Sequence, residues 1–383
     1  MDVVMPRYGA AALADVVPSL LAGLDVPGMV DVIGIPGARR VCLLLIDGLG
    51  WQLLRDHASD APFLTSLATR APITAGFPST TATSIAALGT GLPPGEHGLV
   101  GYTFAATDTV LLNALGWNQH TASTFTDLRS TVVPESLQPH RTAFEHAADA
   151  GVAVRVVAPY DQQGSGLTRA VLRGAPFRGV HAMGDLAAGV LESLRSNDRV
   201  FCYAYHADLD RLGHVYGPGT EPWLFQLAHV DHLAESIANS LPPDSMLAVV
   251  ADHGMVSVAP EDRVDYDTNP LLQNGVRMLG GEARVRHVYT EPGATDDVHA
   301  AWQEVLGERA WLMRRHEAVA AGLFGPRVAT DVLPRIGDLV VAAHGTAAVV
   351  RSAVEPMFTR FIGHHGSLTA AEELVPLLLA RHR

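Results

Sequence analysis

Lysine is absent from this 383-residue sequence, cysteine occurs twice, and only 17% of the residues are charged. Each scarcity excludes something. Every basic residue is an arginine and the net charge is −13. The chain therefore lacks the cationic surplus that neutralises nucleic-acid phosphates, and no polymeric nucleic acid is expected as a partner. The cysteines, Cys42 and Cys202, each lie inside an apolar run ("RRVCLLLID", "RVFCYAYH"). They read as reduced core residues, not as a disulfide framework, and point to the cytoplasm. No stretch is apolar for the length of a membrane span, and "MDVVMPRYGAAALADVV" has no basic segment followed by an apolar run. The expectation is a soluble protein without signal peptide or membrane contact. Repeats and low-complexity linkers are missing too, as are a G-x-S-x-G elbow, a Walker A loop and a G-x-G-x-x-G after a strand.

What is present is a large apolar fraction, 48%, enough for a sizeable core in one α/β domain or two domains. Short apolar runs predict strands at Arg40–Ile46, Val152–Val157, Arg199–Tyr205, Met246–Val250 and Asp338–Ala343. Between and around them, patterning predicts helices at Gly50–His57, Thr83–Gly89, Ser136–Ala150, Gly184–Arg195, Trp223–Ser240 and Ala370–Arg381. Continuous apolar strands separated by helices imply a mostly parallel sheet covered on both faces. From Ala259 to about Arg335 the composition becomes richer in Arg, Glu and Asp. The expected organisation is a core of residues 1–258 and 336–383, interrupted by a cap subdomain at 259–335.

In an open α/β sheet, ligands collect at the carboxyl ends of the strands. Asp47 ends "LLLID", Asp210 and His214 follow "VFCYAY", Asp252 and His253 end "LAVVADHG", and His364 and His365 lie in "GHHGS". Singly, each reads equally well as a cap, a turn or a surface loop. Together they place carboxylates and imidazoles on one sheet edge, a donor set that suits two Mn²⁺ or Zn²⁺ ions. The spacing of Asp210 and His214 puts both on one face of a helical turn.

The stretch "FPSTTATS", residues 77–84, crowds hydroxyls before the apolar segment "IAALGTGL". One reading is helix capping. The other is a nucleophile at a helix N-terminus, where anions are favoured. Two metal ions in one site hold the attacking and leaving oxygens of a displacement at phosphorus, which would activate a hydroxyl without a Ser-His-Asp base.

In this order, "LLLIDGLG", "FPSTTATS…LGTGLPPGEHGLVGY", "DLDRLGHVYGP", "VVADHGM" and "GHHGSLTAAEELVPLL" resemble the alkaline phosphatase superfamily, and within it the type I phosphodiesterase/nucleotide pyrophosphatase branch. The resemblance implies a three-layer α/β/α core with a mostly parallel sheet and a small inserted cap. It implies one metal site from Asp210, His214 and His365, and another from Asp47, Asp252, His253 and the nucleophile oxygen. Register on "TGLPPGEHG" puts that nucleophile at Thr81 and leaves His364 outside the ligand set. One position departs from the family pattern: where an Asn usually binds a phosphate oxygen, this chain has Ser84, expected to keep one such contact, with Asn113 or Asn118 as candidates for another.

Length and the "ADLDRLGH" variant look most like the actinobacterial enzymes that hydrolyse cyclic di-AMP to pApA and AMP with Mn²⁺. The alternatives on the same scaffold are a nucleotide pyrophosphatase, a phosphomonoesterase, a phosphomutase or a phosphonate hydrolase. A nucleotide sensor without turnover is the alternative of another class. Arg211, the one arginine beside the ligand motifs, is expected to point away from Asp210 and His214. The segment Val156–Ala175, with Tyr160, Tyr102 or Trp117, is the candidate base-binding region. No oligomeric state is implied, and a monomer is compatible with the sequence.

Overall fold

The computed structural model describes residues 3–120 and 124–382. The strands of its two larger sheets are β1 (Arg40–Ile46), β2 (Ala153–Pro159), β3 (Phe177–Val180), β4 (Val200–His206), β5 (Ser245–Val250), β6 (Val276–Glu282), β7 (Val285–Thr290), β8 (Ala310–Arg314), β9 (Leu339–Ala343) and β10 (Leu377–Arg381). The first sheet runs β10–β5–β1–β4–β2–β3 and is parallel except for β10, which pairs antiparallel with β5. Apart from Arg40, every residue of β1, β4 and β5 is buried, as continuous apolar strands between two helical layers must be. Helices Met183–Arg195 and Glu221–Asn239 form one layer; Leu13–Ala22, Thr81–Thr90 and Ala143–Asp149 pack together in the other. Cys42 and Cys202 are buried register partners on β1 and β4, with free thiols.

The second sheet is antiparallel, in the order β6–β7–β9–β8. Here the structure corrects the expectation for residues 338–343. Their apolar run reads as a core strand, but β9 pairs with β7 and β8 in the second sheet. Both sheets bury such strands on each side, so apolarity alone does not tell them apart.

Two helix expectations also change. Ala370–Arg381 is helical only over Ala370–Glu373. Pro376 denies the next turn a donor, and Leu377 and Leu378 are buried on β10 against β5. Ser136–Ala150 divides into Pro134–Leu137 and Ala143–Asp149, with Pro139 between them and Thr142 capping the second helix on Glu145.

The order β5–β1–β4 places the loops after these strands side by side. The loops after β5 and β1 carry Asp252 and Asp47, and the one after β4 leads at once into the helix that carries Asp210.

Candidate active site

Asp47 leaves β1 fully enclosed, and its Oδ2 accepts a hydrogen bond from the Tyr205 hydroxyl of β4. Gly48 follows with φ 74°, and a Cβ there would stand 3.0 Å from Cα and Cβ of Asp210. A glycine is what lets the β1 and β4 loops close on each other. The Gly48 N–H donates to Asp252 Oδ1 at 3.0 Å, tying in the β5 loop. Asp210 and His214 stand one turn apart on helix Asp208–Tyr216, with 3.3 Å between Oδ2 and Nε2.

None of the hydroxyls of residues 79–84 caps its helix. Thr80 is at the N-cap but makes no side-chain capping bond. Ser79 donates to the Ser367 carbonyl at 2.8 Å, Thr83 to that of Leu99 at 3.1 Å and Ser84 to that of Asp252 at 2.8 Å. Thr81, first residue of the helix, instead faces the ionisable groups, with Oγ1 3.2 Å from His253 Nε2. The crowded hydroxyls thus fasten the helix start to surrounding loops, and Thr81 alone among them is directed at the histidines.

The imidazoles share one device. Nδ1–H donates to a backbone carbonyl in each: His214 to Gly363 at 2.8 Å, His253 to Gly254 at 2.9 Å and His365 to Ser79 at 3.0 Å. That fixes the tautomer and turns the Nε2 lone pair toward the carboxylates. His253 Nε2 is 3.4 Å from Asp47 Oδ1 and 3.5 Å from Asp252 Oδ2, and His365 Nε2 is 3.9 Å from Asp210 Oδ1. Asp47 Oδ1, Asp210 Oδ1 and Asp252 Oδ2 are buried without any hydrogen-bond partner. Acceptors meeting only acceptors require a cation between them.

Two groupings have donor atoms close enough to hold an ion: Asp210, His214 and His365, and Asp47, Asp210 and His253. The residues present fit two oxygen- and nitrogen-ligated ions. Protons balance the same charges, and a cation bound there would displace them. Burial, with Asp252 and Asp210 close by, pushes Asp47 well above the usual carboxylate range. Burial acts upward on Asp210 as well, but His214 and His365 outweigh it and hold that carboxylate low. His214, lowered by burial but raised more by Asp210, reaches about 9.

A cavity of about 430 Å³ opens over Asp47, Thr81, Asp210 and His365. On one side it is lined by Asp161, Gln162, Ser165 and Thr168, from the segment 156–175, and on another by Phe358 and Phe361.

A family model described as type I phosphodiesterase/nucleotide pyrophosphatase matches residues 41–368. The chain belongs to this family. It is a phosphoric diester hydrolase with the alkaline-phosphatase-like fold. No curated protein matches this phosphodiesterase, but solved structures do. Murine ectonucleotide pyrophosphatase/phosphodiesterase 5, as an inactive threonine-to-alanine form in complex with AMP, is 16% identical, with TM-score 0.67 over 89% of this chain and 87% of that one. The human counterpart gives TM-score 0.65 at 16% identity and the same coverage. Phosphonoacetate hydrolase from Sinorhizobium meliloti 1021, in complex with phosphonoacetate, gives 0.64 at 18% identity over 91% of each chain.

Several expectations for the phosphodiesterase meet a different geometry. Ser84 is fully buried, outside the cavity lining, and its hydrogen is committed to the Asp252 carbonyl, so it offers a phosphate no free donor. Asn113 donates to the Tyr102 hydroxyl at 2.7 Å, Asn118 to the Gln119 carbonyl at 3.1 Å, and neither lines the cavity. Trp117 is buried with its indole N–H on the Val132 carbonyl, and Tyr160 is 60% exposed beside His181. Tyr102 does line the cavity; Arg211 borders it too, with its exposed guanidinium 3.7 Å from Asp208.

Sequence reasoning missed Tyr205, Glu282 and Glu355, all on the cavity wall. Tyr205 sits one residue before the end of β4, which was the signal available. Glu282 ends β6, with its Oε1 buried and unpartnered. Burial pushes Glu282 up to about 8, although the Thr80 hydroxyl and His214 pull the other way. Glu355 is held by Arg286 at 2.8 Å and by His120 Nε2 at 2.8 Å.

Proposed function

We propose that this enzyme hydrolyses a nucleotide phosphodiester, with cyclic di-AMP as substrate, giving pApA and then AMP. Thr81 is the nucleophile: its Oγ attacks phosphorus, the nucleoside oxygen leaves, and water then cleaves the nucleotidyl-threonine ester. The observation that carries the reading is the convergence of unpartnered Asp47, Asp210 and Asp252 oxygens with three oriented imidazoles, one of which, His253, stands 3.2 Å from the Thr81 hydroxyl. Asp210, His214 and His365 would hold one divalent cation, and Asp47, Asp252, His253 and Thr81 the other, Mn²⁺ in preference to Zn²⁺. Bound there, the cations would neutralise charge on the phosphoryl oxygens and favour the ionised hydroxyl.

The chain's own groups supply the rest. Tyr205 orients Asp47, and the free N–H groups at the start of helix Thr81–Thr90 favour an anion beside the nucleophile. From His214 an aromatic strip runs through Phe361, Phe358 and Tyr102, with centroid spacings of 4.9, 5.3 and 5.7 Å. Phe358, Phe361 and Tyr102 line the cavity, and such a strip suits a stacked purine. The neighbour with AMP, inactive as a threonine-to-alanine form, supports both the nucleophile and the ligand class. Residues 259–335 act in this reading as a cap that selects the substrate. The proposed setting is the cytoplasm, consistent with paired but unbonded Cys42 and Cys202. Among the described residues no helix is long and apolar enough to cross a membrane.

Dialysis against EDTA should abolish hydrolysis of cyclic di-AMP, and Mn²⁺ should restore it. Full activity in protein shown to be metal-free would overturn the reading. Turnover of p-nitrophenyl phosphate but not of its bis-ester would make the enzyme a monoesterase, and turnover of phosphonoacetate alone a phosphonate hydrolase. Metal binding without any product would leave a nucleotide sensor.

A further inference from the structure

Three segments carrying the site hang on one short turn, Ala370–Glu373. The Glu372 carbonyl accepts from Gly254 N–H at 2.8 Å, immediately after His253. Close packing backs that bond: a Cβ on Gly254 would stand 1.9 Å from the Ala371 oxygen. The Glu373 carbonyl takes Ala75 N–H at 2.8 Å and its Oε2 takes Gly76 N–H at 3.2 Å, anchoring the approach to Thr81. Glu372 Oε1 accepts from Ser367 N–H at 3.0 Å, two residues after His365. The Ser367 carbonyl in turn receives the Ser79 hydroxyl at 2.8 Å, and the Ser79 carbonyl receives His365 Nδ1–H at 3.0 Å.

The Glu372 carboxylate at the centre of this web is fully buried. Its charge is met by Arg284, which reaches across from the β6–β7 turn of the second sheet. Arg284 Nε lies 2.9 Å from Oε1 and Nη2 2.7 Å from Oε2, and the arginine is itself fully enclosed, with further bonds to the carbonyls of Ala343 and Ala347. A planar fork on both carboxylate oxygens fixes the direction of the carboxylate as well as its charge. That direction decides where the Ser367 N–H is held, and hence where His365 and Ser79 lie.

We propose that Arg284 is a positioning residue for the phosphodiesterase site, acting through Glu372 on His365 and on the segment leading to Thr81. The proposal rests on the reading of His365 and Thr81 given above. It makes the second sheet part of the machinery that aligns the site, beyond any role in selecting substrate.

The deciding experiment uses the double variant Arg284→Met/Glu372→Met, since replacing both members of a buried ion pair by apolar side chains often preserves folding. Tm, the Kd for Mn²⁺ by calorimetry, and kcat and KM on a cyclic dinucleotide are measured. The expected result is a folded protein with Tm near wild type, Mn²⁺ affinity weakened about 10- to 100-fold, and kcat lowered to a similar extent with little change in KM. A folded double variant with wild-type Mn²⁺ affinity and kcat overturns the proposal and leaves the pair a stability element only. If the double variant does not fold, Arg284→Lys and Glu372→Gln take its place. Each keeps a similar volume but loses the fork, and about a tenfold loss of Mn²⁺ affinity is expected from either. Unchanged affinity in both again overturns it. Wild-type protein that binds Mn²⁺ yet hydrolyses no nucleotide would instead defeat the substrate reading and leave the Mn²⁺ affinities to test the positioning role.

Discussion

The carboxyl edge of the parallel sheet and the β6–β7 hairpin of the second sheet meet at the same cavity, but they supply it in different ways. On the parallel sheet Asp47, Asp252 and His253 stand just past strand ends, with Asp210 and His214 on the helix that follows another, and backbone bonds hold them: Gly48 N–H on Asp252, and carbonyls on the imidazoles of His214 and His253. On the hairpin, Glu282, Arg284 and Arg286 are alternate residues. Glu282 faces the cavity, while the arginines reach Glu372 and Glu355 through buried pairs. The first region brings unpaired acceptors into one space and so creates a demand for cations. The second neutralises the carboxylates at the edges of that space with arginine. Two buried carboxylate groups separated by less than a protein's width are thus treated oppositely, according to whether an arginine fork is in reach.

The largest loss is expected at Thr81. Thr81→Ala should keep its fold and metal content but lose about three or more orders of magnitude in kcat, more than roughly 4 kcal/mol at the transition state. Ser84→Ala is the internal control, because its hydroxyl serves only the Asp252 carbonyl. It should cost about 1 kcal/mol of stability and leave kcat within a few-fold. Rates and bound metal measured on both variants decide the matter. Near-normal kcat in Thr81→Ala would mean that water attacks phosphorus directly, and a large catalytic loss in Ser84→Ala would return that residue to phosphate binding.

A smaller effect separates the adjacent histidines of "GHHG". His365 directs Nε2 at Asp210, whereas His364 Nε2–H donates to the Phe361 carbonyl at 3.1 Å and His364 pairs with Val256 across a short bridge. His365→Ala should lower metal occupancy and reduce kcat about 100-fold, against a few-fold for His364→Ala. Metal analysis of the two purified variants is the check, and equal losses would put the ligand register off by one.

The parallel sheet was largely legible in the sequence because its strands are continuous apolar runs and its ionisable groups follow them directly. "LLLID" and "LAVVADHG" announce Asp47 and Asp252 without any knowledge of pairing. The second sheet was not legible in the same way. β9 reads like a core strand, and only its antiparallel partners reveal which sheet it joins. Nothing local in the polar segment around Arg284 and Arg286 signals that these two arginines pair with Glu372 and Glu355, some 70 to 90 residues later. Ser84 failed for the converse reason: its position along the chain suggested a ligand contact, but its buried hydroxyl found a backbone carbonyl first.

The smallest expected effect lies on the hairpin. Glu282 lies beside Thr80 with a buried oxygen that no donor satisfies, so whatever occupies the cavity meets a carboxyl group there. In the metal-free protein burial holds Glu282 up near 8, and cations in the adjoining groups would favour its ionised form. An ionised carboxylate repels a phosphate, and it repels a monoester more than a diester because the monoester carries the larger charge. Glu282→Gln keeps the shape and removes the charge. It should therefore raise kcat/KM for p-nitrophenyl phosphate relative to the bis-ester by about tenfold, roughly 1.4 kcal/mol. Mn²⁺ affinity should stay near wild type, because Glu282 belongs to neither ion-holding group. An unchanged ratio would show that the hairpin carboxylate does not face the phosphate, and a loss of Mn²⁺ binding would transfer Glu282 from the selecting region to the ligating one.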